Sequence, residues 1–478
     1  MASEKTLNGK NLVALGAERL AELLLELSKN DAAAKRRLRL ELASRSGGGA
    51  DVAAAVRKRL ATIAKARSFV EWNKVRALAA DLDLQRSAIV QHVAPAQPAE
   101  AFELLWQLLQ LAPSVYARCD DSNGAVGTVI AQARDDLGTI AAKTAHAPDL
   151  LAERVFAAVQ ANQYGEFDGL IGLLAEALGK DGLAALKARF EALAALPPPP
   201  REAGDRRVIG FSTRGPIYQD DFEARAQARR IRSALTEIAD ALGDADGYAA
   251  RFSAEEHTNP SVAAAIAERL LKADRPEAAL AALRLAEESF RKGGHWPDWP
   301  RVRIDALDAL GRFAEAQAAR WAIFERSLDP HYLRAHLKRL ADFEDVEAED
   351  RALAHVRQYA DFHHALDFLI AWPAHRLAAE LVLARYAELD GDRYWLLTPA
   401  AEALEARAPL AATLMLRSMI DVSLDRAKHK RYGHAARHLQ TCEHLAKRID
   451  DFGTHPDHDA YAAQLEARHG RKSGFWSA

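Results

Sequence analysis

The sequence predicts an all-α fold, a right-handed α-α superhelix of stacked helical hairpins that follows a helical N-terminal domain. Apolar residues recur every three to four positions along most of the 478 residues, and strand-like alternation is almost absent. Hydrophobic residues make up 49% of the chain and charged residues 27%, which is the composition of a globular protein. The chain is too long for one compact core, so several domains or one elongated array are expected.

The first part of the chain is predicted to be a helical domain, residues 1–196. Its first helix places six leucines between positions 12 and 27 on one face, and a polar cluster at 28–31 ends it. A basic helix follows from residue 32. Further helices are expected near 51–66, 70–92, 98–117, 125–143, 148–161, 168–178 and 181–196.

Four consecutive prolines at 197–200 form the strongest break in the chain, because proline lacks the amide donor and favours an extended backbone. We therefore predict a proline-rich linker or loop over residues 197–219. Within it, residues 208–218 read either as two short extended pieces around a Gly-Pro turn or as a loop folded over a helix end. Residues 220–478 form the predicted repeat domain.

The repeat domain is recognised by a hairpin pattern around Gly311. Gly311 suits a tight turn, Phe313 is expected to pack across the hairpin, the small Ala316 fits where two helices cross, and Pro330 closes the unit. Ala279 occupies the equivalent position one unit earlier, at a spacing close to the repeat length of about 34 residues. This pattern resembles the tetratricopeptide repeat, and such hairpins must stack to bury their apolar faces.

A wider resemblance covers most of the chain. Residues 35–42, 57–60, 68–72 and 458–476 resemble an uncharacterised bacterial family of tetratricopeptide-like proteins, and the last stretch is also similar to the C-terminal tail of bacterial SWIM-type zinc-finger proteins. The family resemblance implies a helical fold and supplies no activity. The SWIM zinc site needs more cysteines than Cys119 and Cys442, so the zinc finger is not carried over.

Charge and cysteine content narrow the classes of function. The chain has 64 basic and 67 acidic residues, a net charge of −3, which argues against a whole-protein footprint for nucleic acid or for an anionic membrane. The two cysteines form no disulfide framework, the N-terminus lacks the order of a secretory signal, and no apolar stretch has the length of a membrane span. A cytoplasmic protein without cofactor or membrane contact is expected.

Two consecutive basic runs could instead supply a local nucleic-acid site. Phe69 and Trp72, nearby in the chain, could stack on exposed bases. The alternative is a solvated helix face paired with Glu26, Asp31 and Glu41. The candidate phosphate-binding residues are Lys35, Arg36, Arg37, Arg39, Arg57, Lys58 and Arg59.

Two further candidates come from single segments of the repeat domain. Trp296 and Trp299, in a loop bounded by prolines, could anchor a partner peptide or could fill the seam between two hairpins. His434, His438 and Cys442 recur every four residues on one helix face and could bind zinc, the alternative being surface and packing roles. A basic turn at 428–431 precedes this helix, and a second basic stretch lies at 468–472.

No catalytic or phosphate-binding motif is present in the sequence, so we expect no enzyme. The leading hypothesis is a non-enzymatic helical-repeat scaffold that binds a protein partner. A nucleic-acid-associated protein and a metal-dependent protein are the alternatives, and the oligomeric state is open.

Overall fold

The computed structural model describes residues 6–29, 31–46, 48–196, 207–213 and 215–477. These residues are almost wholly helical, with a single two-stranded hairpin among them, which confirms the predicted all-α class. They form two compact units. The first extends to His257 and includes Lys272–Asp274, and the second comprises Thr258–Leu271 and the chain from Arg275 onward. No described helix combines the length and the apolarity needed to cross a membrane.

The first unit contains thirteen labelled helices among the described residues and the two strands. A π-helical turn, Ile89–Val93, continues α5. The elements are α1 (Gly9–Val13), α2 (Ala17–Ser28), α3 (Ala32–Ser46), α4 (Gly48–Lys65), α5 (Trp72–Ala88), α6 (Pro98–Gln110), α7 (Ala112–Tyr116), α8 (Ala125–Ala141), α9 (Pro148–Ala161), α10 (Leu170–Leu173), α11 (Ala175–Ala195), β1 (Val208–Ser212), β2 (Gly215–Tyr218), α12 (Gln219–Leu242) and α13 (Ala245–Ala249).

Helix α6 lies at the centre of this unit because most of its side chains are apolar. Pro98 starts the helix at a position where a missing amide costs nothing, and Phe102 and Trp106 are fully buried. Helices α4 and α8 both pack against α6. Burial of a large aromatic side chain contributes about 1.5–3 kcal/mol, so this helix stabilises the unit strongly.

The chain after the proline run forms a β-hairpin and then rejoins the first unit. Strands β1 and β2 pair antiparallel, with Phe211 opposite Pro216, which confirms the reading of two short extended pieces. Helix α12 then packs against α9, α10 and α11 and buries Ile231, Leu235 and Ile238. The boundary between the units therefore lies after α12, not at the predicted linker 197–219, of which residues 197–206 and 214 lie outside the described residues.

The second unit is built from consecutive helices joined by short turns. Short 3-10 turns, Tyr386–Glu388 and His429–Arg431, connect some of them. The helices are α14 (Pro260–Lys272), α15 (Pro276–Leu285), α16 (Glu287–Arg291), α17 (Asp298–Ala309), α18 (Phe313–Ser327), α19 (Pro330–Leu337), α20 (Glu344–Arg357), α21 (Phe362–Ala371), α22 (His375–Ala384), α23 (Tyr394–Leu404), α24 (Pro409–Asp425), α25 (Tyr432–Ala446), α26 (His458–His469) and α27 (Ser473–Trp476).

The hairpin of α17 and α18 follows the predicted pattern at three of its four positions. Gly311 has φ of +67°, the left-handed conformation that glycine adopts without strain, and Ala316 is fully buried. Pro330 opens α19. Phe313 does not pack across the hairpin as predicted, because its side chain is largely exposed at the start of α18.

Helix α24 is the most buried helix of the second unit's C-terminal part. Residues Ala411–Ile420 are all buried, and α22, α23 and α25 pack around the helix. A helix that is apolar on nearly every side belongs in a core, and here it fixes the positions of α23 and α25 on either side of it.

Candidate partner-binding site

A cavity of about 230 Å³ lies among α23, α24 and α25 in the second unit. Its wall combines apolar atoms with several cationic side chains. The lining residues are Gly391, Tyr394, Thr398, Met419, Ser423, Lys430, Arg431, His434, Ala435 and His438.

Gly391 brings the chain before α23 directly onto α24. A Cβ atom at this position would overlap with the main-chain carbonyl group of Ser418, so the close approach is open only to glycine. The Ser418 hydroxyl also donates a hydrogen bond to the Leu389 carbonyl oxygen at 3.4 Å. These contacts fix the start of α23, and hence Tyr394, relative to the floor of the cavity.

Asp392 ties the basic turn at 428–431 to the start of α23. Its carboxylate accepts hydrogen bonds from Lys428, from Arg431 at 2.7 Å and from Arg426 at 3.0 Å. The hydrogen bonds from Lys428 and Arg431 lower the pKa of Asp392 to about 2. The turn is therefore held by an ionised carboxylate at every physiological pH, and one side of the cavity is fixed by charge.

One exposed aromatic residue, Tyr394, lines the cavity, and a second, Trp395, lies beside it. The side chains of Tyr394 and Trp395 are 47% and 67% exposed, and their rings meet edge to face with centroids 5.5 Å apart. The Arg431 guanidinium lies 4.4 Å from the centre of the Tyr394 ring. Tyrosine, tryptophan and arginine are the residues that dominate binding energy at protein interfaces.

Two histidines and one lysine complete the wall. The His434 imidazole contacts the Arg437 guanidinium at 2.9 Å, whereas His438 has no hydrogen-bond partner among the described residues. Burial, and then the charges of His434 and Arg437, lower the pKa of His438. Lys430 is exposed and makes no ion pair within the described part of the chain, so its ammonium group is free to meet an anionic group.

The predicted zinc ligands do not come together. His434 and His438 line the cavity, but Cys442 is fully buried in the core, where its Sγ lies 3.9 Å from the Thr413 carbonyl oxygen. Burial raises the pKa of Cys442 to about 12, which opposes the thiolate that zinc requires. Among the described residues no group of three His, Cys, Asp or Glu side chains is arranged to hold a metal ion.

The two tryptophans proposed as peptide anchors lie in different environments. Trp299 is buried, stacks on Phe290 with ring centroids 4.2 Å apart, and donates to the Leu283 carbonyl oxygen at 3.2 Å. Trp296 is half-buried and donates to the Gly293 carbonyl oxygen at 3.0 Å. Trp299 thus fills the seam between hairpins, the alternative named above, and its ring is not open to a partner.

Several of the predicted phosphate-binding cations are occupied by acidic residues that the sequence did not connect to them. Arg36 and Arg59 both contact the buried carboxylate of Asp81, the former at 3.2 Å. Arg57 pairs with Glu100. These acids lie on α5 and α6, so the pairing depends on tertiary contacts and not on spacing along α3 and α4.

The remaining four predicted cations are more exposed to solvent. Lys35 donates to the Lys29 carbonyl oxygen at 2.6 Å. Arg37 borders a separate groove between α3 and α5. Arg39 and Lys58 are exposed and make no ion pair with any described residue. The seven residues therefore do not form one unoccupied basic surface.

Only part of the lining of the cavity could be predicted from the sequence. The basic turn and the histidine face were both visible in the sequence, whereas Thr398 and Met419 carry no pattern that distinguishes them from core residues. A signal was available in Tyr394 and Trp395, two adjacent large aromatics at a helix start, since a helix cannot bury both of two adjacent positions equally.

Comparison with known proteins gives a family and no function. No curated protein matches the chain. A solved "circular tandem repeat protein with novel repeat topology and enhanced subunit contact surfaces" is 15% identical over 97% of this chain and 90% of that chain, with a TM-score of 0.13, a value too low to carry an argument. The model of a family of unknown function, DUF6880, matches residues 2–478, so the chain belongs to that family.

Proposed function

We propose that this protein is a non-enzymatic helical-repeat scaffold that binds a protein segment at the cavity among α23, α24 and α25. One observation carries the proposal, namely that a cavity with a partly apolar wall is bordered by the exposed ring of Tyr394, which in turn contacts the exposed ring of Trp395. Exposed aromatics beside a pocket are the usual anchor points of a protein interface. The two free buried cysteines suit a reducing compartment, and we place the protein in the cytoplasm.

The charges around the cavity favour an acidic partner segment. Lys430, Arg431 and His434 line the cavity and no carboxylate does, while Asp392, next to the lining residue Gly391, is already occupied by three cations. An aspartate or glutamate of the segment would meet Lys430, and a neighbouring apolar side chain would enter the cavity above Met419. This arrangement needs no catalytic group.

Selection of random 12-residue peptides displayed on phage against the full-length protein tests the proposal. The affinity of selected peptides is then compared between the parent protein, Trp395→Ala and Phe343→Ala. Phe343 is a matched control because it is also an exposed aromatic of the second unit, 83% exposed, on another helix start. Loss of an interface tryptophan commonly costs about 2 kcal/mol or more, so we expect affinity to fall about thirtyfold in Trp395→Ala only.

The charge preference is tested with the same peptides. Lys430→Glu is expected to weaken acidic peptides by about tenfold and to leave neutral ones unchanged, since a reversed charge repels a carboxylate in a partly buried setting. Failure to select any peptide, or equal binding by the parent and Trp395→Ala, would refute the site.

A further inference from the structure

A second exposed aromatic surface lies in the first unit, between α4 and α5. Phe69 and Trp72 are 61% and 75% exposed, in a stretch, residues 65–76, that contains four cationic residues. We call Lys65, Arg67, Phe69, Trp72 and Arg76 the aromatic-basic patch. An exposed phenylalanine and an exposed tryptophan three residues apart are costly to leave in water, which calls for an explanation.

The segment that carries the patch is held firmly to the rest of the unit. The Val70 amide donates to the Arg118 carbonyl oxygen at 2.8 Å, as part of a short parallel bridge between Val70 and Cys119. Just beyond, Val75 is fully buried and anchors the first turn of α5. Phe69 and Trp72 are therefore presented to solvent from a fixed backbone, which lowers the entropy lost when they bind a ligand.

The charge around these rings is positive and largely uncompensated. Lys65, Arg67 and Arg76 are exposed and make no ion pair with the described residues, and Arg76 lies one helical turn from Trp72 on the same side of α5. Glu71 is the one acidic residue between positions 65 and 76. Its side chain makes no capping hydrogen bond to α5, so a single carboxylate stands against the cations of the patch.

A further arginine, Arg118, lies on the segment whose main chain pairs with Val70. The residue is only 9% exposed, and its Nε has no hydrogen-bond partner among the described residues. No carboxylate among the described residues forms an ion pair with it. The positive charge of Arg118 is therefore not offset by an ion pair.

We propose that the aromatic-basic patch binds single-stranded nucleic acid. The faces of Trp72 and Phe69 accept stacked bases, and Lys65, Arg67 and Arg76 contact the adjoining phosphates. A duplex buries its base faces within the stack and offers only phosphates, so stacking selects the single strand. This assignment is independent of the cavity in the second unit, and it differs from the predicted basic site because Arg36, Arg57 and Arg59 are occupied by Asp81 and Glu100.

The test is fluorescence anisotropy of the full chain with fluorescein-labelled dT20, rU20 and a 20-base-pair duplex at several salt concentrations. We expect the single strands to bind more tightly than the duplex, with an affinity that falls as salt rises. Trp72→Ala should weaken single-strand binding about tenfold or more, which is the usual loss for one stacking residue. Phe343→Ala, which removes an exposed ring elsewhere, should bind as the parent does.

The basic residues are tested separately from the rings. Arg67→Glu with Arg76→Glu should weaken binding and reduce its dependence on salt, because two phosphate contacts are lost. Circular dichroism on each variant establishes that helicity is retained. A preference for dT20 or for rU20 identifies the natural strand, provided that Trp72→Ala weakens it.

Any one of three results would overturn the proposal. These are no binding of either single strand at 50 mM salt, equal affinity for the duplex, and undiminished affinity in both Trp72→Ala and Phe69→Ala. The Trp72→Ala variant should still bind the peptides that were selected at the cavity, which would show that the two surfaces act separately. Failure of the nucleic-acid proposal would therefore leave the scaffold proposal unaffected.

Discussion

At the scale of single residues, Asp392 and His363 show how one titratable group can hold a helix start. Asp392 gathers three cations from the turn before α25. His363 is buried, and its Nε2 accepts a hydrogen bond from the Asp390 amide at 3.0 Å. Both groups act on the segment that leads into α23, one as an anion and the other as a neutral ring.

We expect Asp392→Asn to destabilise the second unit at neutral pH. The pKa of Asp392 is lowered to about 2 from an ordinary value of 3.8, so its stabilisation is present above pH 3.8 and is lost as the pH falls toward 2. Urea denaturation of the parent and the variant should therefore differ at pH 7 and converge as the pH falls from 3.8 toward 2. Asp367→Asn, at an exposed position without an ion pair among the described residues, is the control.

The buried histidines predict a second dependence of stability on pH. It arises from the burial of neutral imidazole rings and not from an ionised carboxylate. Burial lowers the pKa of His336 and of His363 from 6.5, so the folded state prefers their neutral forms. Their contribution to stability is complete above pH 6.5 and is lost as the pH falls further. We expect the free energy of unfolding to decrease from pH 7 to pH 5, and His363→Gln to reduce that slope. An unchanged slope would contradict this assignment.

At the scale of elements, helix contacts in the second unit depend on small residues at crossing points. Gly391 is the clearest case, because the chain before α23 touches the α24 main chain there. Ala316, on α18, is fully buried in the hairpin of α17 and α18. Small side chains let two backbones approach closely, so the spacing of these residues sets the spacing of the helices.

Gly391→Ala should therefore be unusually costly for such a small change. The added methyl group would collide with the Ser418 main chain, and forcing extra volume into a packed site costs typically 1–3 kcal/mol. Gly433→Ala, at a helical position where a Cβ meets only the far end of Arg437, should be neutral or slightly stabilising. Thermal denaturation of both variants checks the contrast, and peptide binding at the cavity should weaken only in Gly391→Ala.

At the scale of the whole molecule, the chain divides after α12 and not at the prolines. Helix α12 covers apolar side chains of α9, α10 and α11, and it buries Ile231, Ala234, Leu235 and Ile238 in doing so. A proline run breaks secondary structure locally, but it does not decide which core the next helix joins.

This boundary predicts different behaviour for two truncated chains. A chain that ends after residue 257 keeps α12 and should unfold cooperatively on heating. A chain that ends after residue 196 exposes the apolar surface that α12 covers, and it should melt at a lower temperature and bind a hydrophobic dye such as ANS. Identical melting curves for the two fragments would indicate that the boundary between the units lies at the prolines.

The sequence by itself determined the helical class, the β-hairpin as one of two readings, and the hairpin turn at Gly311. These features follow from periodicity and from glycine and proline conformations, which act over a few neighbouring residues. The same local information placed histidines on one face of α25.

Only the tertiary structure decided that Arg36 and Arg59 meet Asp81, that Trp299 is buried against Phe290, and that Cys442 faces the core while His434 and His438 face a cavity. Each of these outcomes depends on contacts between different helices. Local pattern says which side of a helix is apolar, but the choice of neighbour depends on how whole helices pack together, and the packing decides which charges are paired and which rings remain exposed.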